Sequence, residues 1–309
     1  MINFRFHLVS LVAVFLALAI GVVMGYGVLG QPTVETLENR IDTVEANAEA
    51  RRLENDALRA DVDRLEGTLD ALEPFTITDR LVESRVLVVA VRGVDPQTMR
   101  GLVALARRSG ASAPGILWIE ERWSLPDIED REAMATALQI DATRRATLRD
   151  RGWRALIQRL DTGPALASDL LSALTDADFI AFEGLGDEVA LSDVGGVGTN
   201  VVFVVGTDGV IGARQTLLPA AQAAVEIAMP LASAEVYRGV EGGGVRGSQV
   251  GVIRGDETLA GEVPTVDDLD LPAGSAIALL TLADLLRGVV GHYGLGEGAT
   301  TAVPEWWQP

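Results

Sequence analysis

The sequence predicts an α/β protein with a mainly parallel, Rossmann-like sheet, carried on an N-terminal transmembrane helix and a parallel coiled coil. Three observations carry this: an uncharged stretch at residues 8–30, a heptad repeat at residues 35–73, and beyond them short continuous apolar runs alternating with amphipathic ones. The expected organisation is a cytoplasmic N-terminus at 1–7, a span at 8–30, a coil at 35–73, an extracytoplasmic α/β domain at 76–296 and a flexible tail at 297–309.

Residues 8–30 provide 23 uncharged positions, against the roughly 20 that a helix needs to cross hydrocarbon. Arg5 and His7 precede the span, and the first charge after it is Glu35. The positive-inside bias therefore puts the N-terminus in the cytoplasm, with the protein a single-pass component of the cell membrane. A cleaved secretory signal is the rival reading, because Ala17-Leu18-Ala19 has the small-x-small form. Within the span, Ala17, Gly21 and Gly25 recur every four residues, the small-xxx-small spacing that lets two helix backbones approach.

From Leu37 the a and d positions of a heptad fall on Leu37, Ile41, Val44, Ala48, Arg51, Asn55, Leu58, Val62, Leu65, Leu69 and Leu72. The residues between them are mostly charged or small and leave no second apolar face. Asn55 at an a position favours an in-register pair, while Arg51 at d weakens the same heptad. Two helices leaving one membrane pair in parallel, so a homodimer is the expected state. Twelve acidic residues face five arginines between Glu35 and Glu73, which keeps a partner coil with basic e and g positions as an alternative. Glu73-Pro74 is expected to end the rod.

In the α/β part, Arg85–Val91 has the unbroken apolar character of a buried parallel strand. Asp95-Pro96 is an N-cap with a first-turn proline, and Met99, Leu102, Val103, Leu105 and Ala106 give the inner face of a helix ending near Gly110. With a strand at 115–120 this forms a βαβ unit. Helical patterns follow at 127–160, 164–174, 215–228 and 273–292, and strand patterns at 178–183, 200–205, 234–238 and 249–253.

Chemistry is sparse. Cysteine is absent, which removes disulfides and thiolate sites. The net charge is −19 and all 25 basic residues are arginine, a poor match for nucleic acid or anionic lipid. There is no lysine for a phosphate loop, no Gly-x-Ser-x-Gly elbow and no histidine placed to serve a nucleophile. The glycine-rich stretches at 195–198, 239–247 and 291–298 do not join a strand to a helix as a dinucleotide site requires. The expectation is a non-enzymatic protein without cofactor.

Ligands of such sheets lie beyond the strand carboxyl ends, here marked by Arg92, Gly93 and Asp95, by Glu183 and Gly184, by Thr207 and Asp208, and by Arg254 and Asp256. They would form a crevice for a hard cation or polar ligand. The competing account makes Asp95 an N-cap and Asp208-Gly209 a turn.

Both ends of the chain carry a resemblance. Arg5-Phe6-His7 running into Val14–Gly25, and then Val266-Asp267-Asp268-Leu269-Asp270, Pro272-Ala273-Gly274 and Val290-Gly291-His292-Tyr293-Gly294, are similar to the actinobacterial family named for the mycobacterial copper transport protein B. The resemblance implies an envelope protein of copper homeostasis, with a partner from the cell envelope or division machinery. The family label also implies an outer-membrane pore, which helix-separated continuous strands do not suit. Copper ligands are few: His7, His292 and five separated methionines, with no pair at ligand spacing. His292 is expected to cap the last helix rather than to bind metal.

Overall fold

The computed structural model describes residues 4–164, 169–186, 189–239 and 244–304. The chain divides into two compact units, Met1–Glu66 and Gly67–Pro309.

Helix α1 (Phe4–Ile77) runs through the first unit and into the second. Its segment Phe4–Tyr26 is apolar, 23 residues long and fully exposed, long enough to cross a membrane. The helix continues past Pro74 to Ile77. A proline forgoes a single i→i−4 bond, and only the last turn lies beyond it, so the loss is local. Ile77 and Leu81 are wholly buried among the residues of the α/β unit.

That unit is a seven-stranded, mostly parallel sheet with helices on both faces. Its strands are β1 (Arg85–Val91), β2 (Gly115–Ile119), β3 (Ile180–Gly184), β4 (Thr199–Gly206), β5 (Leu231–Val236), β6 (Thr265–Val266) and β7 (His292–Tyr293). They lie in the order β3-β2-β1-β4-β5-β6-β7, all pairs parallel except β2 with β3. Side chains alternate across β1: Leu87, Val89 and Val91 enter one core, and Val86, Val88 and Ala90 enter the other.

The first core is covered by α3 (Ile128–Ala137), α4 (Arg145–Thr162), α5 (Leu170–Asp176), α6 (Leu217–Glu226) and the short α7 (Gly251–Arg254) and α8 (Glu257–Ala260). Trp153 is its hub, with its ring centroid 4.6 Å from that of Trp123 and 5.6 Å from that of Phe203, and its indole N–H donating to the Gln215 carbonyl at 3.0 Å. The second core is covered by α2 (Pro96–Arg108) and α9 (Gly274–Leu285). Asp95 caps α2 by accepting from the Thr98 N–H, and the buried face is Met99, Leu102, Val103, Leu105 and Ala106, as the pattern predicts.

Four further expectations change. Residues 127–160 form two helices rather than one, because Gln139 takes a left-handed φ of 54° and the Ile140 N–H closes back on the Ala135 carbonyl. The segment 249–253 is a turn that enters α7 at Gly251, not a strand. The last helix stops at Leu285, where the Val289 N–H returns to the Asp284 carbonyl and Gly288 has φ +82°. His292 therefore sits in β7 and not at a helix end. Finally, the tail is paired as far as it is described: Thr301 bridges Tyr293, and the Thr300 N–H donates to the His292 carbonyl at 2.7 Å. Residues 241–243 and 305–309, including Trp306-Trp307, lie outside the described residues.

Candidate functional site

The residues expected to line one crevice separate into three places. At the β1–β4 switch point the two loops are packed against each other. Gly93 has φ +102°, and a Cβ there would lie 2.3 Å from the Asp208 carbonyl oxygen. The Val210 N–H donates to the Arg92 carbonyl at 2.9 Å. Asp95 and Asp208 are brought together by Arg238, at 4.0 and 3.6 Å. Hydrogen bonds from the Thr98 N–H and hydroxyl hold the Asp95 carboxyl below its ordinary range.

Arg92 pairs with Glu120 and stacks over Trp118, 4.5 Å from the ring centroid. Glu183, near the end of β3, lies opposite Ile116 at the start of β2, because β3 is antiparallel. That removes it from the shared carboxyl end. Burial alone would raise its pKa, but bonds from Arg100 at 2.5 Å and the Trp118 indole at 3.1 Å outweigh it and lower the value.

Arg254, on α7, belongs to a third place that is richer than the expected crevice. Beyond the carboxyl ends of β5, β6 and β7, four carboxylates and two arginines are drawn together. Asp267 follows β6, has a fully buried side chain and pairs with Arg254 at 2.7 Å. It also accepts from the Leu295 and Gly296 N–H groups at 2.8 and 3.0 Å. Gly294 makes this approach possible, since a Cβ there would lie 2.2 Å from the Asp267 carboxylate. Arg254 further donates to the Thr265 hydroxyl at 2.8 Å and to the Tyr293 and Glu297 carbonyls.

Asp270 receives Arg246 through both guanidinium nitrogens, at 2.8 and 2.7 Å, and accepts from the Tyr237 N–H. This fork raises the Arg246 pKa further, and the guanidinium lies 4.6 Å above the Tyr237 ring. Glu235, on β5, is completely buried and accepts from the Gly247, Gln249 and Val250 N–H groups at 3.0, 2.9 and 3.1 Å. Burial pushes its pKa up against those three bonds.

Asp268 differs from its neighbours. It is 5% exposed, and its Oδ1 has no hydrogen-bond partner. Burial, with Asp267 and Asp270 adding to it and Arg246 opposing it, pushes its carboxyl up to about 6. Beside this network an open cleft of about 580 Å³ is lined by Arg214, Arg246, Gly247, Ser248, Arg254 and Glu297. The sequence signalled the knot through Asp267-Asp268-x-Asp270, but Glu235 stood as a lone acid in an apolar strand, and Arg246 lay in a glycine-rich stretch without a ligand motif.

On α1, Ala17, Gly21 and Gly25 are exposed, and a Cβ at either glycine would meet nothing within 4 Å. Leu37, Ile41, Val44, Leu58, Val62, Leu65 and Leu69 are exposed along the helix, as are Ala48, Arg51 and Asn55. The Leu72 side chain lies outside the described residues. The single chain thus offers an open apolar seam.

The C-terminal motifs supply Asp267, Asp268, Asp270 and Gly294 to this network, and the match to a known family runs through nearly the whole chain. The family described as "Copper transport outer membrane protein, MctB" matches residues 1–304. The chain belongs to this family. Proteins named "Copper transporter MctB" from Mycobacterium tuberculosis and Mycobacterium bovis are 27% identical over 321 residues, covering 97% of this chain and 98% of theirs. One of the same name from Mycobacterium leprae is 26% identical over 328 residues, covering 99% and 100%.

Copper as cargo finds poor ligands in the described residues. Met99, Met134 and Met229 are buried in the cores. His292 has both ring nitrogens engaged: Nε2 lies 3.1 Å from the Ala260 carbonyl, to which it donates, and Nδ1 lies 3.0 Å from the Thr265 hydroxyl, from which it accepts. Burial, and Arg254 nearby, lower its pKa and so favour the neutral ring. Among the described residues no three His, Asp or Glu side chains are grouped to hold a metal. Asp267, Asp270 and Glu235 accept from arginine and backbone N–H groups, and carboxylates are hard donors unlike the thioether, thiolate and imidazole that copper prefers.

Proposed function

We propose that this chain is a single-pass, coiled-coil dimeric protein of the cell envelope, with the N-terminus cytoplasmic and the α/β unit outside, acting as a non-enzymatic scaffold in copper homeostasis. The observation that carries it is the exposed heptad seam from Leu37 to Leu69 on one unbroken helix. Seven apolar side chains on one stripe are stable in water only when covered, and a second helix covers them at least cost. The open backbone at Gly21 and Gly25 supports the same pairing inside the membrane. Family membership supports the link to copper and the envelope location.

Cross-linking the full chain in membranes, followed by purification, tests this reading. A dimer with a stoichiometric envelope or division protein is the expected product. A monomer without a partner overturns it.

The second reading, direct copper transport or binding, is favoured by the name of the family and its relatives. The one apolar span among the described residues and an open sheet flanked by helices do not build a pore of the outer-membrane type. Titration calorimetry of the full chain with Cu(I) and Cu(II) separates the two. Sub-micromolar binding of either ion would favour transport over scaffolding.

A further inference from the structure

The heptad register fixes more than the seam. With Ile41, Ala48, Asn55, Val62 and Leu69 at a, the b positions are Asp42, Glu49, Asp56, Asp63 and Asp70, all five acidic. Position b faces solvent in a dimer, so a large share of the rod's negative charge points away from a partner helix. The e and g positions, which flank the seam, read differently. A g residue of one parallel helix meets the e′ residue five positions on in the other. These pairs are Arg40 with Glu45, Asn47 with Arg52, Glu54 with Arg59, Asp61 with Glu66 and Thr68 with Glu73.

Two of the five attract, one repels and two lack one of the charges. Asp61, on the repelling pair, is already engaged by Arg64 on its own helix at 2.6 Å, which softens that contact. Arg40, Glu45, Glu54 and Arg59 are exposed and reach outward from the helix. Arg59 has a loose neighbour in Asp56 at 3.7 Å, with side chains 80% and 58% exposed. Such an exposed i,i+3 contact is weak and free to be exchanged.

We infer that the rod's partner is a second copy of this chain, selected in parallel register by reciprocal Arg40–Glu45 and Glu54–Arg59 pairs, rather than a helix with a basic flank. This rests on the dimeric reading above. A basic partner would satisfy the acids at e and g but would set its own arginines or lysines against Arg40, Arg52 and Arg59. The homodimer satisfies both signs. Parallel register also sets Asn55 opposite Asn55 of the second copy, where the two amides can hydrogen-bond.

The test uses the full chain in detergent or nanodiscs with two distinguishable tags. Glu54→Arg alone, and Arg59→Glu alone, each create two like-charge contacts and should weaken self-association about 3- to 30-fold. The double variant E54R/R59E should recover to within about 3-fold. When the two single variants are mixed, they should prefer each other over themselves. If the unaltered chain is dimeric but the mixed variants show no such preference, the charge pairing is wrong while the rod dimer stands. If the unaltered chain is monomeric, the dimer itself is wrong.

Discussion

Arg254 and Asp267 meet at 2.7 Å with side chains only 5% and 0% exposed, and this pair ties α7 to the end of β6. Neither partner can be removed without stranding the other. Breaking a buried pair on one side costs about 3–5 kcal/mol, because an uncompensated charge is left out of water. Asp267→Asn should therefore lower the stability of the full chain by that amount. It should also loosen the 294–297 loop, whose N–H groups the carboxylate holds. Chemical denaturation with hydrogen exchange at Leu295 and Gly296 checks both. A loss below about 1 kcal/mol would show that Arg254 finds relief elsewhere.

Asp268 sets a pH dependence of definite sign. Its folded pKa, pushed up to about 6, lies above its ordinary 3.8, so the folded chain takes up a proton before the unfolded chain does. Stability from this group rises as pH falls from above 6 toward 4, and is lost as pH rises through the folded value. Asp268→Asn should then stabilise the chain at pH 7.5 by up to about 3 kcal/mol, since each pH unit is worth about 1.36 kcal/mol. The difference between variant and parent should shrink toward zero near pH 4. His292 works in the opposite direction, because its lowered pKa favours the fold at higher pH and is common to both proteins. Melting curves of the two chains across pH 4–8 isolate the aspartate. A difference that grows on acidification would contradict the assignment.

Gly93 tests whether the β1–β4 switch point is filled by its own loops. At φ +102°, with the Asp208 carbonyl 2.3 Å from where a Cβ would stand, Gly93→Ala meets both backbone strain and a clash with main chain. A cost of roughly 2 kcal/mol or more is expected. A neutral alanine would mean that the loops part readily, and would restore that point as a place for a ligand.

How far the sequence can be read is clearest by comparing the two ends of the sheet. β1 and α2 were legible because each depends on local signals: an unbroken apolar run, an Asp-Pro cap and an inner face at helical spacing. β6 and β7 have two residues each and exist because neighbouring strands and the 299–301 segment pair with them, which no local pattern shows. The 249–253 segment has the β-branched content of a strand. Yet Glu235, fourteen residues earlier, takes the Gln249 and Val250 N–H groups and turns the chain into α7 instead. The knot was half visible for the same reason. Its aspartates were conspicuous, whereas the glutamate that orders the loop and the arginine that closes it became meaningful only in three dimensions. The stripe on α1 is the converse case: periodicity alone puts its apolar residues on one line, and the helix leaves them exposed, while their pairing stays a proposal.

That seam supports the most direct perturbation. Leu58 and Leu65 are successive d residues, 56% and 62% exposed on the single helix, so replacing them costs the lone helix no packing. In a paired rod both positions are core, and Leu58→Asp with Leu65→Asp would bury four carboxylates against one another per dimer. Self-association should fall at least 100-fold, with helix content and the α/β unit's melting intact. Because the pairing is proposed to present the domain to its envelope partner, complementation of copper sensitivity in a strain lacking the protein should be lost as well. Full activity from a chain shown to be monomeric would separate function from the rod and leave the buried knot as the place to look.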